Sequence, residues 1–428
     1  MDDLRPFLRS VFDAAVAAVH PDRVVTPHLP PPPSGHVVIL AAGKAAAAMA
    51  VAAERHYLAL PDFKPPRVVG VAVTRHGYGL PARHVEVREA GHPVPDAASL
   101  AGAQAALDMA AGAHADDLVL VLLSGGASAL WSAPAPPLDL ADKQELTRAL
   151  LRAGLPIAAV NAVRKHLSRI KGGRLARAAA PAQVMTLAIS DVPHDDPAVI
   201  GSGPTVADPT TLADARRILA EAHVSLGAAA RMVLDDPANE TVKPGDPLLA
   251  RARYRIVARP RDALDAAVRH LTEAGYAVAD LGADVEGEAR DVARAHAGLA
   301  RAAHAEGRRA AIVSGGELTV TVRGGGRGGP NQEYALALAH ELHGLAGIAV
   351  LAADTDGADG GSGAPDDPAG AIVDARTFRR MAALRLDPLG FLANNDATAF
   401  FAASGSLLVT GPTHTNANDL RIILVDPA

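Results

Sequence analysis

Several short segments of this sequence set glycines and hydroxyls beside charged residues, a mixture suited to holding anions. Gly43-Lys44 joins an apolar run to a helical one. The glycine permits a sharp turn, the helix start presents free N–H groups, and the lysine can reach a phosphate or a carboxylate. This is not a Walker A loop, because Ala45 follows the lysine and Val38 occupies the position of the earlier glycine. A surface lysine at a helix start is the plain alternative. Ser124-Gly125-Gly126-Ala127-Ser128 is a phosphate-loop candidate: its amides are open to an anion, and Ser124 and Ser128 add hydroxyl donors. A tight structural turn would use the same residues. Gly201-Ser202-Gly203-Pro204-Thr205 is another turn that exposes backbone.

Carboxylates gather elsewhere. Ser190-Asp191-Val192-Pro193-His194-Asp195-Asp196 follows a strand-like run. Phosphoryl transfer needs Mg2+ held by oxygen ligands and often a carboxylate near the attacking hydroxyl. Asp191, nearest the strand end, is the candidate for both tasks, while Asp195 and Asp196 suit loop solvation or capping equally well. Asp354 and Asp356, in Asp354-Thr355-Asp356-Gly357 at a strand end, are candidates to hold Mg2+ or a substrate hydroxyl, with Asp356 the second candidate metal ligand; a flexible glycine-rich loop is the plain alternative, and the segment lacks the closing glutamate of an EF-hand loop. Arg164, Lys165 and His166 are consecutive in an amphipathic stretch, so they point in different directions around a helix. At most one or two of them are expected to line a cleft, the others lying on the surface. Gly324 to Gly329 contains a formal G-x-G-x-x-G before a helix starting near Asn331. Leu318 to Arg323 ahead of it alternates apolar and polar, as a half-exposed strand does, whereas a dinucleotide fold opens on a strand buried on both faces. Thr410 to Asp419 is dense in hydrogen-bonding groups and suits a loop facing a polar ligand, or a satisfied turn.

The elements that must position these residues alternate. Strands are expected over 36–42, 67–73, 118–123, 184–189, 255–258, 276–281, 310–313 and 347–352. Helices are expected over 4–20, 45–58, 97–110, 142–153, 262–274 and 288–306. Such alternation predicts α/β architecture with largely parallel sheets, whose ligands bind beyond the carboxyl ends of the strands. A length of 428 residues suggests two domains, and the Asp-, Pro- and Gly-rich stretch 235–247 places the boundary near 240/241. Aromatics are only 3% of the chain, so Ala, Val and Leu must fill the core. The absence of cysteine excludes disulfides, thiolate catalysis and cysteine zinc sites. A net charge of −6 without long basic runs argues against nucleic acid. No apolar stretch reaches the roughly 18 residues of a membrane span, and the charged first ten residues lack a signal-peptide core. A cytoplasmic protein is expected.

Taken in order, a further set of motifs carries a resemblance. It comprises Gly43-Lys44-Ala45, His92-Pro93-Val94-Pro95-Asp96, Ser124 to Ser128, Asn161 to His166 with Lys171-Gly172-Gly173-Arg174-Leu175, and Ser190-Asp191-Val192. It continues through Gly201 to Thr205, Asn331-Gln332-Glu333, Asp356-Gly357 and Thr410-Gly411-Pro412-Thr413 to Asn418-Asp419. Over nearly its whole length the chain resembles the class II glycerate 2-kinases, whose C-terminal part is the MOFRL domain and whose members are often labelled hydroxypyruvate reductases. The resemblance implies a Rossmann-like N-terminal domain over 1–240, a MOFRL-type C-terminal domain over 241–428, and an active site in the cleft between them. It implies ATP and Mg2+, with D-glycerate phosphorylated at its 2-hydroxyl, and it places the family's important lysine at Lys44. The family segment Gly-Gly-Arg-Asn-Gln-Glu here reads Gly328-Gly329-Pro330-Asn331-Gln332-Glu333, so Pro330 removes a charge for which Arg327 is the nearest substitute. The expected catalytic residues are therefore Lys44, Asp191 and Arg327. Those expected to bind the nucleotide are Ser124, Gly125, Gly126, Ser128, Gly201, Gly203, Asn331 and Glu333, and the metal ligands are Asp191 and Asp356. Partners are the small molecules glycerate and ATP, with homo-oligomer formation left open. Two other readings stand beside this one: an NAD(P)H-dependent hydroxypyruvate reductase, resting on the glycines from Gly324 to Gly329, and a non-catalytic sugar-acid or nucleotide binding protein.

Overall fold

The structure, a computed structural model, describes residues 4–61, 67–361, 364 and 366–427. Its strands are β1 (Val37–Ala42), β2 (Val68–Arg75), β3 (Val85–Ala90), β4 (Leu118–Leu123), β5 (Gln183–Ile189), β6 (Ala252–Ala258), β7 (Ala277–Asp280), β8 (Gly287–Glu288), β9 (Ala310–Ser314), β10 (Leu318–Thr319), β11 (Ile348–Asp354), β12 (Gly370–Val373), β13 (Leu407–Leu408) and β14 (Asp419–Val425). The chain divides into two compact units: Pro21–Val257, and Met1–His20 joined with Ala258–Ala428.

The unit Pro21–Val257 is built on a six-stranded sheet of order β3-β2-β1-β4-β5-β6. The pairs β1·β2, β1·β4, β2·β3 and β4·β5 are parallel. Every residue of β1 and β4 is apolar and buried, as strands covered on both faces must be. β3, at the edge, alternates valine with Glu86 and Arg88, and its middle is exposed or half-buried. This is the doubly wound order, which reverses between β1 and β4, and that reversal opens a crevice at the strand ends. Helices Leu140–Arg152, Ile157–His166, Leu212–Glu221 and Ala228–Asp235 form a second core around Leu146, Val163, Leu219 and Val233.

In the other unit the sheet order is β13-β12-β11-β14-β9-β7. Only β7·β9 is parallel; β9·β14, β14·β11, β11·β12 and β12·β13 are antiparallel. The α/β class holds in both units, and the expectation of largely parallel pairing is corrected for this one. The physical reason is β14. This C-terminal strand inserts between β9 and β11 and runs against both.

The division also differs from the expected 240/241 boundary. Residues 252–258 are β6 of the first sheet, so the chain leaves that unit about 17 residues later than the Pro- and Gly-rich stretch suggests. The N-terminal helix Arg5–Ala18 packs in the unit formed by the C-terminal half. Phe7 stacks on Tyr276 at 5.8 Å, and Arg5 makes a two-pronged pair with Asp374 at 2.6 and 3.0 Å. Among the described residues, no helix is long and apolar enough to cross a membrane.

Candidate active site

Parallel pairing sets Ala42 beside Leu123, so Gly43 and Ser124 leave the sheet as neighbours at the β1/β4 reversal. They approach closely: a methyl group on Gly43, whose φ is +130°, would lie 2.1 Å from Ser124 Oγ and 2.6 Å from its carbonyl oxygen. Lys44 N donates to Gly125 O at 2.8 Å, and Ala45 N donates to Ser124 Oγ at 2.9 Å. The two turns are thereby stitched together where helix Ala46–Leu58 begins. The Ser124 hydroxyl is fully buried in this contact, so it organises the turn and does not project toward a ligand. Gly126 adopts φ +85°, and a methyl there would meet the His92 ring at 2.9 Å and Lys44 Cγ at 3.5 Å. The absence of a side chain on Gly126 thus lets His92 and Lys44 converge over the turn. Asp191 follows β5, which pairs in parallel with β4, so it leaves the same edge of the sheet as Lys44 and Ser124. Its charge, with that of Asp196, reaches Tyr254 of β6, where burial has already raised the phenol.

Ser128 is the centre of a second group. Its hydroxyl lies 2.8 Å from Ser202 Oγ, and it receives Arg164 Nη2 at 3.0 Å and Lys171 Nζ at 2.8 Å. Gly201 and Gly203, at φ +59° and +62°, bring Ser202 to this point. A methyl on Gly201 would stand 3.3 Å from Ala127 Cβ. Lys143 Nζ donates to Ser132 Oγ at 2.7 Å, and Lys165 Nζ pairs with Asp208 at 3.4 Å. Lys143, Lys165 and Lys171 are all buried. Burial, with Arg164 nearby, pushes Lys143 down to about 7. Burial, then the charges of Lys143, Arg164 and Lys165, pushes Lys171 well below the usual lysine range. The expectation that at most one or two of Arg164, Lys165 and His166 turn inward, the others lying on the surface, is corrected. Arg164 turns to Ser128, Lys165 to Asp208, and fully buried His166 to Glu240 at 2.9 Å. Each of the three side chains thus turns to a partner within the unit rather than to solvent.

Asn331, Glu333, Asp356 and Arg327 belong to the other unit. Helix Pro330–Glu341 opens on Pro330, tolerated at the first helical position, where no backbone donor is missed. Asn331 Nδ2 bridges Asp359 and Asp419 at 3.1 and 2.7 Å. Its own Oδ1 is buried and has no hydrogen-bond partner among the described residues. Burial and the neighbouring Asp419 push Asp359 up to about 7, against the pull of the Asn331 and Gln332 N–H groups. Buried Arg421 holds Asp419 at 3.0 Å and also donates to the Gly315 and Gly316 carbonyls. Asp356 is fully buried, with Oδ1 accepting from Ala358 N at 2.7 Å. Glu333 is turned inward: Arg290 Nε reaches it at 2.5 Å and Asn395 Nδ2 at 3.1 Å. That pairing leaves it braced within the unit rather than presented to a nucleotide. Arg327 is exposed and engages its surroundings through backbone, its N–H donating to Asp396 Oδ1 at 3.1 Å. Among the described residues no group of three or more His, Asp or Glu side chains is placed to hold a metal ion, and the two expected ligands, Asp191 and Asp356, lie in different units.

The glycines of 324–329 have a packing role. Methyl groups on Gly324, Gly326 and Gly329 would lie 2.3 Å from Asn394 O, 2.3 Å from Asp396 Cβ and 2.4 Å from the Asp359 backbone, respectively. The strand before them is the two-residue β10, paired only with β8. The buried strand that opens a dinucleotide fold is therefore missing here.

Comparison with known proteins shows the family. Residues 7–235 match a family model described as a domain of unknown function (DUF4147), and residues 310–419 match the MOFRL family. The D-glycerate 2-kinase of Thermotoga maritima is 37% identical over 99% of both chains. A protein of Agrobacterium vitis with a provisional hydroxypyruvate reductase name is 46% identical, over 98% of this chain and 94% of its own. The crystal structure of a Thermotoga maritima glycerate kinase superposes with a TM-score of 0.85 at 36% identity, covering 99% of each chain. The chain belongs to the class II glycerate 2-kinase (MOFRL) family. Within this glycerate 2-kinase family chain, Lys143 and Asp208 were not singled out from sequence, and Ser202 was read as part of a backbone-exposing turn. Lys143 sits in an ordinary amphipathic helix, and nothing in its spacing distinguishes it from a solvated lysine. Ser202 was the better signal, lying between two glycines that both turn out to require positive φ.

Proposed function

We propose that this chain is a cytoplasmic glycerate 2-kinase that moves the terminal phosphoryl group of ATP onto the 2-hydroxyl of D-glycerate. The observation that carries the reading is the stitched pair of turns at the β1/β4 reversal, which sets Lys44 beside the Gly125-Gly126 turn. Phosphoryl transfer leaves a protein little covalent work. It needs positioning and fixed positive charge where the equatorial oxygens develop negative charge. Lys44 supplies that charge, and Gly126 lets phosphate oxygens approach backbone N–H groups. Asp191, on the same sheet edge, orients the acceptor hydroxyl and accepts its proton. One or two protein carboxylates would suffice for an Mg2+ ion brought in with ATP, and Asp191 with Asp196, from the same loop after β5, would be the residues to hold it. When bound, the ion neutralises phosphate charge. Arg327 is the proposed cation of the glycine-rich segment, and Asn331, with its buried free Oδ1, is the proposed polar contact there.

The reductase reading loses its footing with the packing role of Gly324, Gly326 and Gly329. A paired assay decides between the readings. With D-glycerate, ATP and Mg2+ the protein should release ADP, and with hydroxypyruvate and NADH it should leave NADH untouched. NADH loss without ADP release would overturn the kinase reading, and silence in both assays would leave a binding protein.

A further inference from the structure

Most of the cations around Ser128 are not matched by anions. Lys143, Arg164, Lys165 and Lys171 come from two helices and the turn that follows them, and they meet behind the Ser124–Ser128 turn. Among the described residues the carboxylate paired with any of them is Asp208, on Lys165. The partners of Lys143 and Lys171 are Ser132 Oγ and the Ser128 hydroxyl and carbonyl, all neutral. Arg164 spends Nη2 on the Ser128 hydroxyl, and its Nε is buried without a hydrogen-bond partner. Proteins seldom bury charge unpaired, because removal from water is repaid only by an opposite charge and full hydrogen bonding. Two such cations on one hydroxyl, with Lys143 held nearby on Ser132, therefore describe half of a site.

We infer that Ser128, Arg164 and Lys171, backed by Lys143, form a pocket for a substrate oxyanion, either the carboxylate of the acid or a phosphate of the nucleotide. Arg164 and Ser128 are the half-buried members and form the open side. Lys171 is wholly enclosed and forms the floor. The planar guanidinium of Arg164 suits a two-oxygen anion. Burial first, and then the neighbouring cations, lower the affinity of Lys143 and Lys171 for protons, and an arriving anion would raise it again. The identity of the two candidate anions rests on the kinase reading; the existence of the pocket rests on the unpaired cations.

The test uses the full chain and its Arg164→Met and Lys143→Met variants. Binding of D-glycerate alone, ATP alone and inorganic phosphate alone is measured by calorimetry, and thermal stability is followed without ligand. Loss of one charge-assisted contact should weaken the affected ligand roughly 10- to 100-fold. Weakened D-glycerate with unchanged ATP assigns the pocket to the carboxylate, and the reverse assigns it to phosphate; either supports the pocket. Ligand-free Tm should hold or rise, since an uncompensated charge has gone. A fallen Tm with unchanged binding of all three ligands would reduce the cluster to scaffolding and overturn the inference. Arg164→Lys, which keeps the charge, should recover part of the affinity and serves if Arg164→Met does not fold. If the wild type releases no ADP from glycerate and ATP, the kinase reading fails by itself, and the Arg164 dependence of phosphate binding still decides the pocket.

Discussion

Gly43→Ala tests the β1/β4 junction where its geometry is tightest. The new methyl would stand 2.6 Å from the Ser124 carbonyl oxygen, a backbone atom, and ordinary contact begins at 3.4 Å, so the turns must part by about 0.8 Å. Parting loosens the Lys44 N–Gly125 O and Ala45 N–Ser124 Oγ bonds, at 2.8 and 2.9 Å, each worth about 1 kcal/mol. Holding alanine at a φ of +130° costs a further ~1–3 kcal/mol. The expected loss of stability is therefore about 3–5 kcal/mol, read from urea midpoints. In the fraction that remains folded, Lys44 is displaced by nearly 1 Å, which should lower kcat/KM for glycerate phosphorylation by on the order of 100-fold. Gly298→Ala is the control. It lies exposed in the interior of helix Ala289–Ala305, where a methyl meets nothing within 4 Å, so it should add roughly 0.5–1 kcal/mol and leave activity intact. A Gly43→Ala protein as stable and active as the wild type would refute the claim that these turns are held in contact to build a site.

Other outcomes follow from the same structure. Lys44→Ala should cut kcat/KM by roughly 100-fold or more, the scale of one lost transition-state charge contact, while leaving the urea midpoint nearly unchanged. Glu333→Ala should instead destabilise by roughly 2–4 kcal/mol, because it strands the Arg290 guanidinium; an unchanged KM for ATP in the folded protein would fit its bracing role, and a large rise would restore it to the nucleotide site. The pH dependence has a definite sign. Lys143 is held near 7 in the folded chain and titrates near 10.4 when unfolded. The unfolded state therefore binds more protons between those values, and ligand-free stability should rise with pH across that window. Below pH 7 both states are protonated and this contribution is flat. Lys143→Met should show a smaller rise in urea midpoint between pH 7 and 9, the remainder coming from Lys171, which burial also holds below the usual lysine range, and a slope identical to wild type would remove Lys143 as a source.

Much of the fold near Lys44 was legible because buried parallel strands write themselves plainly. Val37–Ala42 and Leu118–Leu123 are unbroken apolar runs that end in glycine. The Gly43 and Gly126 turns could be read for the same reason, since each φ is one that glycine tolerates. β3 was missed because Glu86 and Arg88 alternate with valine, which suits an edge but resembles a loop. The mixed second sheet was missed because strand direction leaves no trace in composition, and β14 reverses its neighbours from the far end of the chain. The inward turn of Glu333 and the burial of Lys143, Lys165 and Lys171 depend on partners 40 or more residues away or on a covering helical layer. A charged residue on an amphipathic helix looks the same in sequence whether it meets water or Ser128.

The phosphorus NMR spectrum of the product formed from D-glycerate, ATP and Mg2+ tests the central claim most directly. Esterification at the 2-hydroxyl places phosphorus next to a carbon bearing a single hydrogen, so the new resonance should be a doublet. It should appear alongside ADP, and its rate of formation should collapse in Lys44→Ala. A triplet, reporting transfer to the primary hydroxyl, or ATP left intact by active, folded protein, would contradict the account.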